Sequence, residues 1–139
     1  MKDQVTSIEQ SKRLIELGVP ADKASMVWWP VAEYTGKGFE MKLTGEYYLY
    51  SKDRVSPQYQ DVIFKAFTVA DLLGLFKSVI FTTSRLNPNL EKTRDGEWYF
   101  EFGEITGEEG YGFARDKSLV DLLVGRIEWI VSNGYKLNI

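Results

Sequence analysis

The chain has 139 residues, 44% of them hydrophobic and 27% charged, and a formal net charge of −3. It contains neither histidine nor cysteine. These absences exclude a Ser-His-Asp triad and a His-based zinc site within one chain, a thiol nucleophile and a disulfide. The length fits one domain, so we expect residues 1–139 to form a single domain whose core needs no metal.

The charge pattern and the hydropathy bear on partners and compartment. Basic residues are scattered, whereas binding to a phosphate backbone needs a concentrated positive face, so direct nucleic-acid binding is not expected. The N-terminal residues show no apolar run of the signal-peptide type, and no apolar stretch approaches the roughly 20 residues that span a bilayer. The sequence therefore predicts a cytoplasmic protein with no membrane segment.

The first predicted helix begins at Thr6 and runs through Leu17. Thr6 is the expected N-cap, and Glu9, three residues later, is the expected reciprocal partner in a capping box. Gly18 supplies the left-handed residue that ends a helix, and Pro20 prevents the helix from resuming.

Residues between the first and second helices follow a period of two, which is typical of strands. The pattern predicts a hairpin of residues 39–43 and 46–50 around Thr44-Gly45, and then a short strand at 62–67. Two weaker regions, residues 26–29 and 51–61, are expected to be extended or irregular.

The second predicted helix starts at Thr68 and runs to about Lys77. Thr68 is the expected N-cap, with Asp71 at the third helical position. Phe67 and Leu72 have the spacing of a hydrophobic staple, which fixes the angle at which the chain enters a helix.

Further strands are predicted after this helix. Residues 79–86 are rich in β-branched side chains and predict a strand, followed by a turn at Asn87-Pro88-Asn89. Asp95-Gly96 is the strongest hairpin signal in the chain. It precedes the alternating residues 97–102, and residues 111–114 are a candidate last strand.

The third predicted helix is capped by Ser118, with Asp121 three residues later, and continues to Asn133 before Gly134. Its apolar residues cover most of the circumference, so we expect it to be covered on two sides. The pattern as a whole predicts an α+β domain, in which three helices pack on an antiparallel sheet of about five to six strands. The expected order is α-β-β-β-α-β-β-α, with an extra short strand possible.

Two sets of aromatic residues are candidate binding sites. Adjacent Trp28 and Trp29 in an extended segment point to opposite sides, so either both fill the core or one lies at an interface together with Tyr34 and Phe39. The second set is a candidate ligand pocket of Trp98, Tyr99 and Glu101, which combines apolar surface with a carboxylate.

Catalytic chemistry is weakly supported. Glu97 and Glu101 are separated by about 13 Å along a strand, beyond the spacing of glycosidase carboxylates, so a carboxylate-only hydrolase needs a partner from another strand. Residues 103–112 are Gly-rich and acidic, which is typical of a solvated loop or a weak cation site. Gly36-Lys37-Gly38 lacks the remainder of a P-loop and is interpreted as a flexible turn. No catalytic, cofactor-binding or metal-binding residue is assigned.

Several segments resemble a family of small uncharacterised proteins from gut bacteria, often found among mobile or prophage-like genes. The matching segments are mostly helical: residues 9–18, 20–26, 66–73 and 129–135. The resemblance implies a bacterial or phage setting and a protein without an obvious enzymatic activity. It transfers no functional residue.

The leading hypothesis is an intracellular protein-binding module of the accessory or inhibitor type, without catalytic activity. It rests on an ordered, aromatic-rich chain with no catalytic constellation, phosphate site or basic patch. Homo-oligomerisation stays open. The alternative is a small-molecule-binding domain that uses the aromatic and carboxylate pocket.

Overall fold

The computed structural model describes residues 2–59, 63–76, 80–81, 84–104 and 111–139. Within these ranges the chain forms three α-helices: α1 (Ile8–Glu16), α2 (Val69–Gly74) and α3 (Leu119–Ser132). It also forms seven strands: β1 (Met26–Tyr34), β2 (Met41–Ser51), β3 (Phe64–Ala66), β4 (Ile80–Phe81), β5 (Ser84–Lys92), β6 (Trp98–Glu104) and β7 (Tyr111–Asp116). The α+β class, the three helices and the antiparallel strands are confirmed.

The strands lie in two sheets rather than in one. The first sheet has the order β2-β1-β3 and the second β4-β5-β6-β7, and all neighbours are antiparallel. The two sheets are separate because β3 is only three residues long and leads directly into α2. The chain thus leaves the first sheet before a further strand can join it. No described helix is long and apolar enough to cross a membrane.

The predicted hairpin around Thr44-Gly45 is wrong, because these residues lie inside β2. The true hairpin joins β1 to β2 through residues 35–40. Pro30 pairs with Tyr47 and Ala32 pairs with Leu43, so three residues of β2 face one residue of β1. Gly45, with φ +83°, supplies the backbone conformation of this bulge. Residues 26–29, expected to be extended or irregular, form the regular start of β1.

Two predictions about β5 also differ from the structure. The segment predicted as one strand over 79–86 contributes to β4 and β5, and the predicted turn at Asn87-Pro88-Asn89 is wrong, since these residues continue β5. Proline lacks a backbone donor and is tolerated where a neighbouring strand is missing. Pro88 meets this condition, because among the described residues β4 pairs only with Ser84 and Arg85. The hairpin at Asp95-Gly96 is confirmed.

Helix caps follow the sequence closely, with one displacement. Thr68 and Asp71 form the predicted capping box of α2, although α2 ends at Gly74 rather than near Lys77. Ser118 caps α3 as predicted and accepts a hydrogen bond from the backbone N–H of Asp121. The cap of α1 was predicted one residue too early. Ser7, with Gln10, forms the capping box that was assigned to Thr6 and Glu9.

The buried residues that the structure describes form two hydrophobic clusters. The larger joins α3 to α1, α2 and the second sheet, and its fully buried members include Leu14, Phe76, Phe100, Leu123 and Ile127. Six residues of α3 are buried, which agrees with the predicted cover of this helix. The smaller cluster lies beneath the first sheet, where Ile8 of α1 packs against Val5, Trp28 and Ala66.

Thr6 is buried, and its hydrogen bonds connect three parts of the fold. We call this set of hydrogen bonds the Thr6 junction. Its backbone N–H donates to the Phe67 carbonyl at 2.9 Å, and its hydroxyl accepts from the Phe67 N–H at 2.9 Å. The indole Nε1 of Trp28 donates to the Thr6 carbonyl at 2.9 Å. The Thr6 and Ser11 hydroxyls lie 2.6 Å apart. The junction therefore fixes the start of α1 against β1 and the entry to α2.

Thr6→Val tests the junction because it keeps the shape of the side chain and removes the hydroxyl. The Phe67 N–H then has no acceptor in a buried position, so we expect a loss of about 1–3 kcal/mol in the free energy of unfolding, measured by urea denaturation. The matched control is Thr35→Val at an exposed position, where water replaces the lost bonds. Equal stability of the two variants would contradict the role of Thr6.

Candidate functional site

Residues 32–43, which we call the arm, are exposed without interruption. They comprise the end of β1, the connecting turn and the start of β2. The arm projects because β3 pairs only with residues Met26, Val27 and Trp28 of β1. Beyond Trp28 the first sheet has only two strands, and nothing among the described residues covers either face of their outer part.

The connecting turn is built from hydrogen bonds and two glycines. The Thr35 N–H donates to the Glu40 carbonyl, and the Glu40 N–H donates to the Lys37 carbonyl, each at 3.1 Å. Gly36 and Gly38 have φ angles of +84° and +59°, which side chains rarely tolerate. The predicted turn at Gly36-Lys37-Gly38 is thus confirmed, and its place is the tip of the arm.

The two faces of the arm differ in polarity. Ala32 pairs with Leu43, and Tyr34 pairs with Met41, so these four side chains share one face, which we call the apolar face. Glu33 pairs with Lys42 on the opposite face. Tyr34, Met41 and Leu43 are 60%, 57% and 66% exposed, and Phe39 at the tip is 102% exposed. Apolar side chains that alternate in this way along a strand normally face a core, but here they are exposed to water.

A pocket lies at the base of the arm on the same side of β1. Trp28, Pro30, Ala32 and Tyr34 occupy alternate positions of β1, a continuous strand whose pairing with β2 shifts between Pro30 and Ala32. Alternate residues of a strand lie on one side. The pocket has a volume of about 390 Å³ and is lined by Ser7, Ile8, Glu9, Trp28 and Tyr47. We call it the base pocket. Its floor is Trp28, which is 9% exposed and held by its bond to Thr6.

The opposite side of the first sheet carries an aromatic cluster. Trp29 is half-buried, with ring centroids of Tyr50 and Tyr59 at 6.2 Å and 5.1 Å. Tyr48 is 55% exposed, and its ring centroid lies 6.4 Å from that of Tyr50 in an edge-to-face arrangement. A cavity of about 340 Å³ adjoins this cluster and is lined by Trp29, Tyr50, Arg54 and Val55.

The predicted interaction set is therefore distributed over the first sheet. Tyr34 and Phe39 lie together on the arm, Trp28 is buried at its base, and Trp29 is on the other side. The prediction missed Met41 and Leu43, which form most of the apolar face with Tyr34. Their alternation with Lys42 is the sequence signal for this face, but the misplaced turn at Thr44-Gly45 obscured their pairing with β1.

The structure does not unite the predicted pocket residues Trp98, Tyr99 and Glu101. Trp98 packs against the main hydrophobic cluster, whereas Tyr99 and Glu101 lie on the other face of β6, where the Arg115 guanidinium is 5.9 Å from the Tyr99 ring. Trp98 instead borders a cavity of about 770 Å³, whose lining consists of Asp3, Gln4, Val69, Lys92, Trp98, Lys117, Ser118 and Leu119.

Tyr99 and Glu101 form a direct pair. The Tyr99 hydroxyl donates to the Glu101 carboxylate at 2.8 Å. This hydrogen bond raises the pKa of Tyr99 above its ordinary value, and desolvation and the Glu101 charge act in the same direction. The pair stabilises the protonated phenol, which is a donor at neutral pH rather than a base.

Other candidate chemistry receives less support. Within the described ranges, no three Asp or Glu side chains converge as a metal site would require. The weak cation site considered for residues 103–112 falls largely on residues 105–110, which lie outside the described residues.

Comparison of the chain with protein-family models, curated proteins and solved structures finds no match. The resemblance carried by residues 9–18, 20–26, 66–73 and 129–135 is not tested by these comparisons and stays a prediction. The function therefore has to be inferred from the geometry of the arm, the base pocket and the cavities.

Glu101→Gln tests the Tyr99 pair. Loss of the carboxylate charge should lower the Tyr99 pKa toward its ordinary value of about 10, as followed by NMR titration of the Tyr99 Cζ resonance. Because the folded-state pKa is raised, the stabilisation is present below the unfolded pKa and is lost as the pH rises through the folded pKa. Glu97→Gln, on the same strand side, is the control. An unchanged pKa in Glu101→Gln would disprove the cause assigned here.

Proposed function

We propose that this chain is a protein-binding module of the accessory or inhibitor type, without catalytic activity, which contacts its partner through the apolar face of the arm. The observation that carries this proposal is the exposure of Phe39, Tyr34, Met41 and Leu43, which lies between 57% and 102%. Contiguous exposed apolar patches on soluble proteins commonly mark sites of protein–protein contact.

The energetics favour a covered arm. Complete burial of a large apolar side chain stabilises by about 1.5–3 kcal/mol relative to leaving it exposed. Because Tyr34, Met41 and Leu43 are only 57–66% exposed, burial of the four side chains would contribute roughly 4–9 kcal/mol before the cost of association, which is of similar size. Burial of the arm face therefore roughly offsets the cost of association, and further contacts around it would supply the net affinity.

The charges of the arm favour a protein over a nucleic acid. Glu33 and Glu40 balance Lys37 and Lys42, so the arm has no net charge. A polyanion needs a concentrated positive surface, whereas a protein interface commonly has an apolar centre with a polar rim. The proposed setting is the cytoplasm, as the sequence predicts.

A double substitution on the apolar face tests the proposal. Met41→Ser/Leu43→Ser removes two apolar side chains at exposed positions, so we expect stability within about 0.5 kcal/mol of the parent and loss of partner binding. The control is Lys42→Ser, on the opposite face between them. Each version is tagged and used for affinity capture from native host cells, with and without nuclease, and binding is then measured with the purified partner.

The expected partner is captured by the parent chain and by Lys42→Ser, resists nuclease, and is lost with the double variant. A partner retained at full strength by the double variant would place the binding surface elsewhere. Absence of any stoichiometric protein, including an untagged copy of the chain, would refute the proposed function.

Small-molecule binding is the second candidate function, and the cavity beside Trp98 is the observation that favours it. Its volume of about 770 Å³ is within the usual range of ligand pockets, about 300–1,000 Å³. The Lys92 ammonium lies 5.3 Å from the centre of the Trp98 ring, and Lys117 also lines the cavity. These groups suit a planar anionic compound.

A thermal-shift screen of anionic aromatic metabolites examines this second candidate. A ligand of the cavity should raise the melting temperature of the parent chain and of Lys136→Ala, a variant at an exposed position outside the lining. It should raise the melting temperature less in Lys117→Ala, since one positive charge is gone. A shift that is equal in all three proteins, or no shift at all, argues against this site.

A further inference from the structure

We propose that the partner of the arm is a second copy of this chain, and that Phe39 of each copy fills the base pocket of the other. This inference rests on the proposed protein-binding function and names the partner. Both halves of the contact are present on one chain: an aromatic side chain with no cover at the tip, and an apolar pocket at the base.

The tip and the pocket have the relative positions that a two-fold contact needs. Trp28 in the base pocket and Tyr34 near the tip point to the same side of β1 and are six residues apart, or about 20 Å along the strand. If two arms stack face to face in opposite directions about an axis near Ala32 and Leu43, each tip lies over the other base. Each contact is then made twice and the assembly closes as a dimer.

The base pocket matches the side chain that would enter it. Its volume is about 390 Å³ and its lining includes Ile8, Trp28 and Tyr47. The pocket is an open depression rather than an enclosed cavity, so it has room for a phenyl ring together with its Cβ and the adjoining backbone. The Phe39 ring would meet the Trp28 and Tyr47 rings, and aromatic contacts of this kind add to the gain from burial.

Charges around the contact are complementary between copies. Lys37 lies in the same turn as Phe39, and Glu9 lines the base pocket. Both side chains are exposed, and neither forms an ion pair with another described residue. Insertion of Phe39 would bring Lys37 of one copy to Glu9 of the other. The arm itself has no net charge, so two arms do not repel one another.

The surface available is close to what a stable dimer needs. Tyr34, Phe39, Met41 and Leu43 have exposures of 60%, 102%, 57% and 66%. At about 200 Å² for a fully exposed large side chain, this corresponds to roughly 500–600 Å² per copy. A standard interface buries about 800 Å² per partner, and the rims of the base pocket, including Pro30 and Tyr47, would supply the difference.

Sedimentation equilibrium of the purified full chain tests the dimer, with Phe39→Ser as the variant and Tyr48→Ser as its matched control. Tyr48, like Phe39, is an exposed aromatic residue. It belongs to β2 and lies on the face opposite to the apolar face. We expect the parent and Tyr48→Ser to dimerise alike. The dissociation constant of the Phe39→Ser dimer should be at least 100-fold higher than that of the parent. The Phe39 contact is made twice in the dimer, and the loss of each is expected to weaken the dimer about tenfold.

A charge exchange tests the predicted pairing of Lys37 with Glu9. Glu9→Lys alone and Lys37→Glu alone each place like charges together, so each should dimerise at least tenfold more weakly than the parent. A mixture of the two variants restores opposite charges at both contacts and should form a one-to-one heterodimer. Circular dichroism of each variant verifies that the monomer is folded. If the mixture of the two variants dimerises no more strongly than either variant alone, the proposed pairing of Lys37 with Glu9 is wrong.

The failure of this inference is distinguishable from failure of the proposed function. A parent chain that stays monomeric at about 100 µM, or a dimer that tolerates Phe39→Ser, overturns the inference. If the chain is monomeric but Met41→Ser/Leu43→Ser loses a different captured protein, the proposed function stands and only the identity of the partner is wrong. If the chain is monomeric and no captured protein depends on the apolar face, both this inference and the proposed function are refuted.

Discussion

The Thr6 junction is the constraint on which the position of the proposed site depends. Through its carbonyl, N–H and hydroxyl, Thr6 links Trp28 of β1, Phe67 before α2 and Ser11 of α1. These bonds satisfy polar groups in a buried region, where an unpaired donor would be costly. The junction also places the first turn of α1 beside Trp28, and the base pocket is the space between them.

The exposed arm follows from the shortness of β3. Its three residues pair with the first three residues of β1, and Ile8 of α1 belongs to the hydrophobic cluster beneath this part of the sheet. The apolar alternation of β1 and β2 nevertheless continues outward to Tyr34 and Met41. The apolar side chains of this alternation are therefore buried at the base of the arm and exposed to solvent toward its tip. A surface of this kind has a physical use if another molecule completes the missing layer.

The second sheet shows that this exposure is local. Phe100 of β6 is completely buried against Phe76, with ring centroids 5.0 Å apart, and α3 covers this sheet. On the outer face Tyr99 is engaged by Glu101. The larger hydrophobic cluster thus has its covering helix. Among the side chains whose exposure the structure describes, most of the large uncovered apolar ones lie in the first sheet and its arm.

Local signals in the sequence were sufficient for much of the fold. The caps at Thr68 and Ser118 and the hairpin at Asp95-Gly96 depend on residues within a few positions of one another, and each is found as predicted. Such signals act through nearby backbone groups, so a single sequence displays them. The alternation of residues 97–102 is also found in β6, and because it separates Trp98 from Tyr99 and Glu101, the predicted pocket of these three residues does not form.

The errors arose where distant partners decide between local alternatives. Thr44-Gly45 suits both a tight turn and a bulge, and only the pairing of β2 with β1 selects the bulge. Thr6 and Ser7 are both good N-caps, and the bonds of Thr6 to Phe67 and Trp28 leave the cap to Ser7. The base pocket was not predicted because its lining joins α1 to β1 and β2, and no local pattern brings these segments together.

The methyl resonance of Met41 offers the most direct measurement of the central claim, that the apolar face is covered by a second copy. Met26 lies at the base of β1 in the smaller hydrophobic cluster and serves as an internal reference. A paramagnetic agent dissolved in the solvent is used to report exposure of both methyl groups during dilution. We expect Met41 to be protected at high concentration and exposed at low concentration, while Met26 does not change. A Met41 methyl that is equally exposed at every concentration would contradict the account.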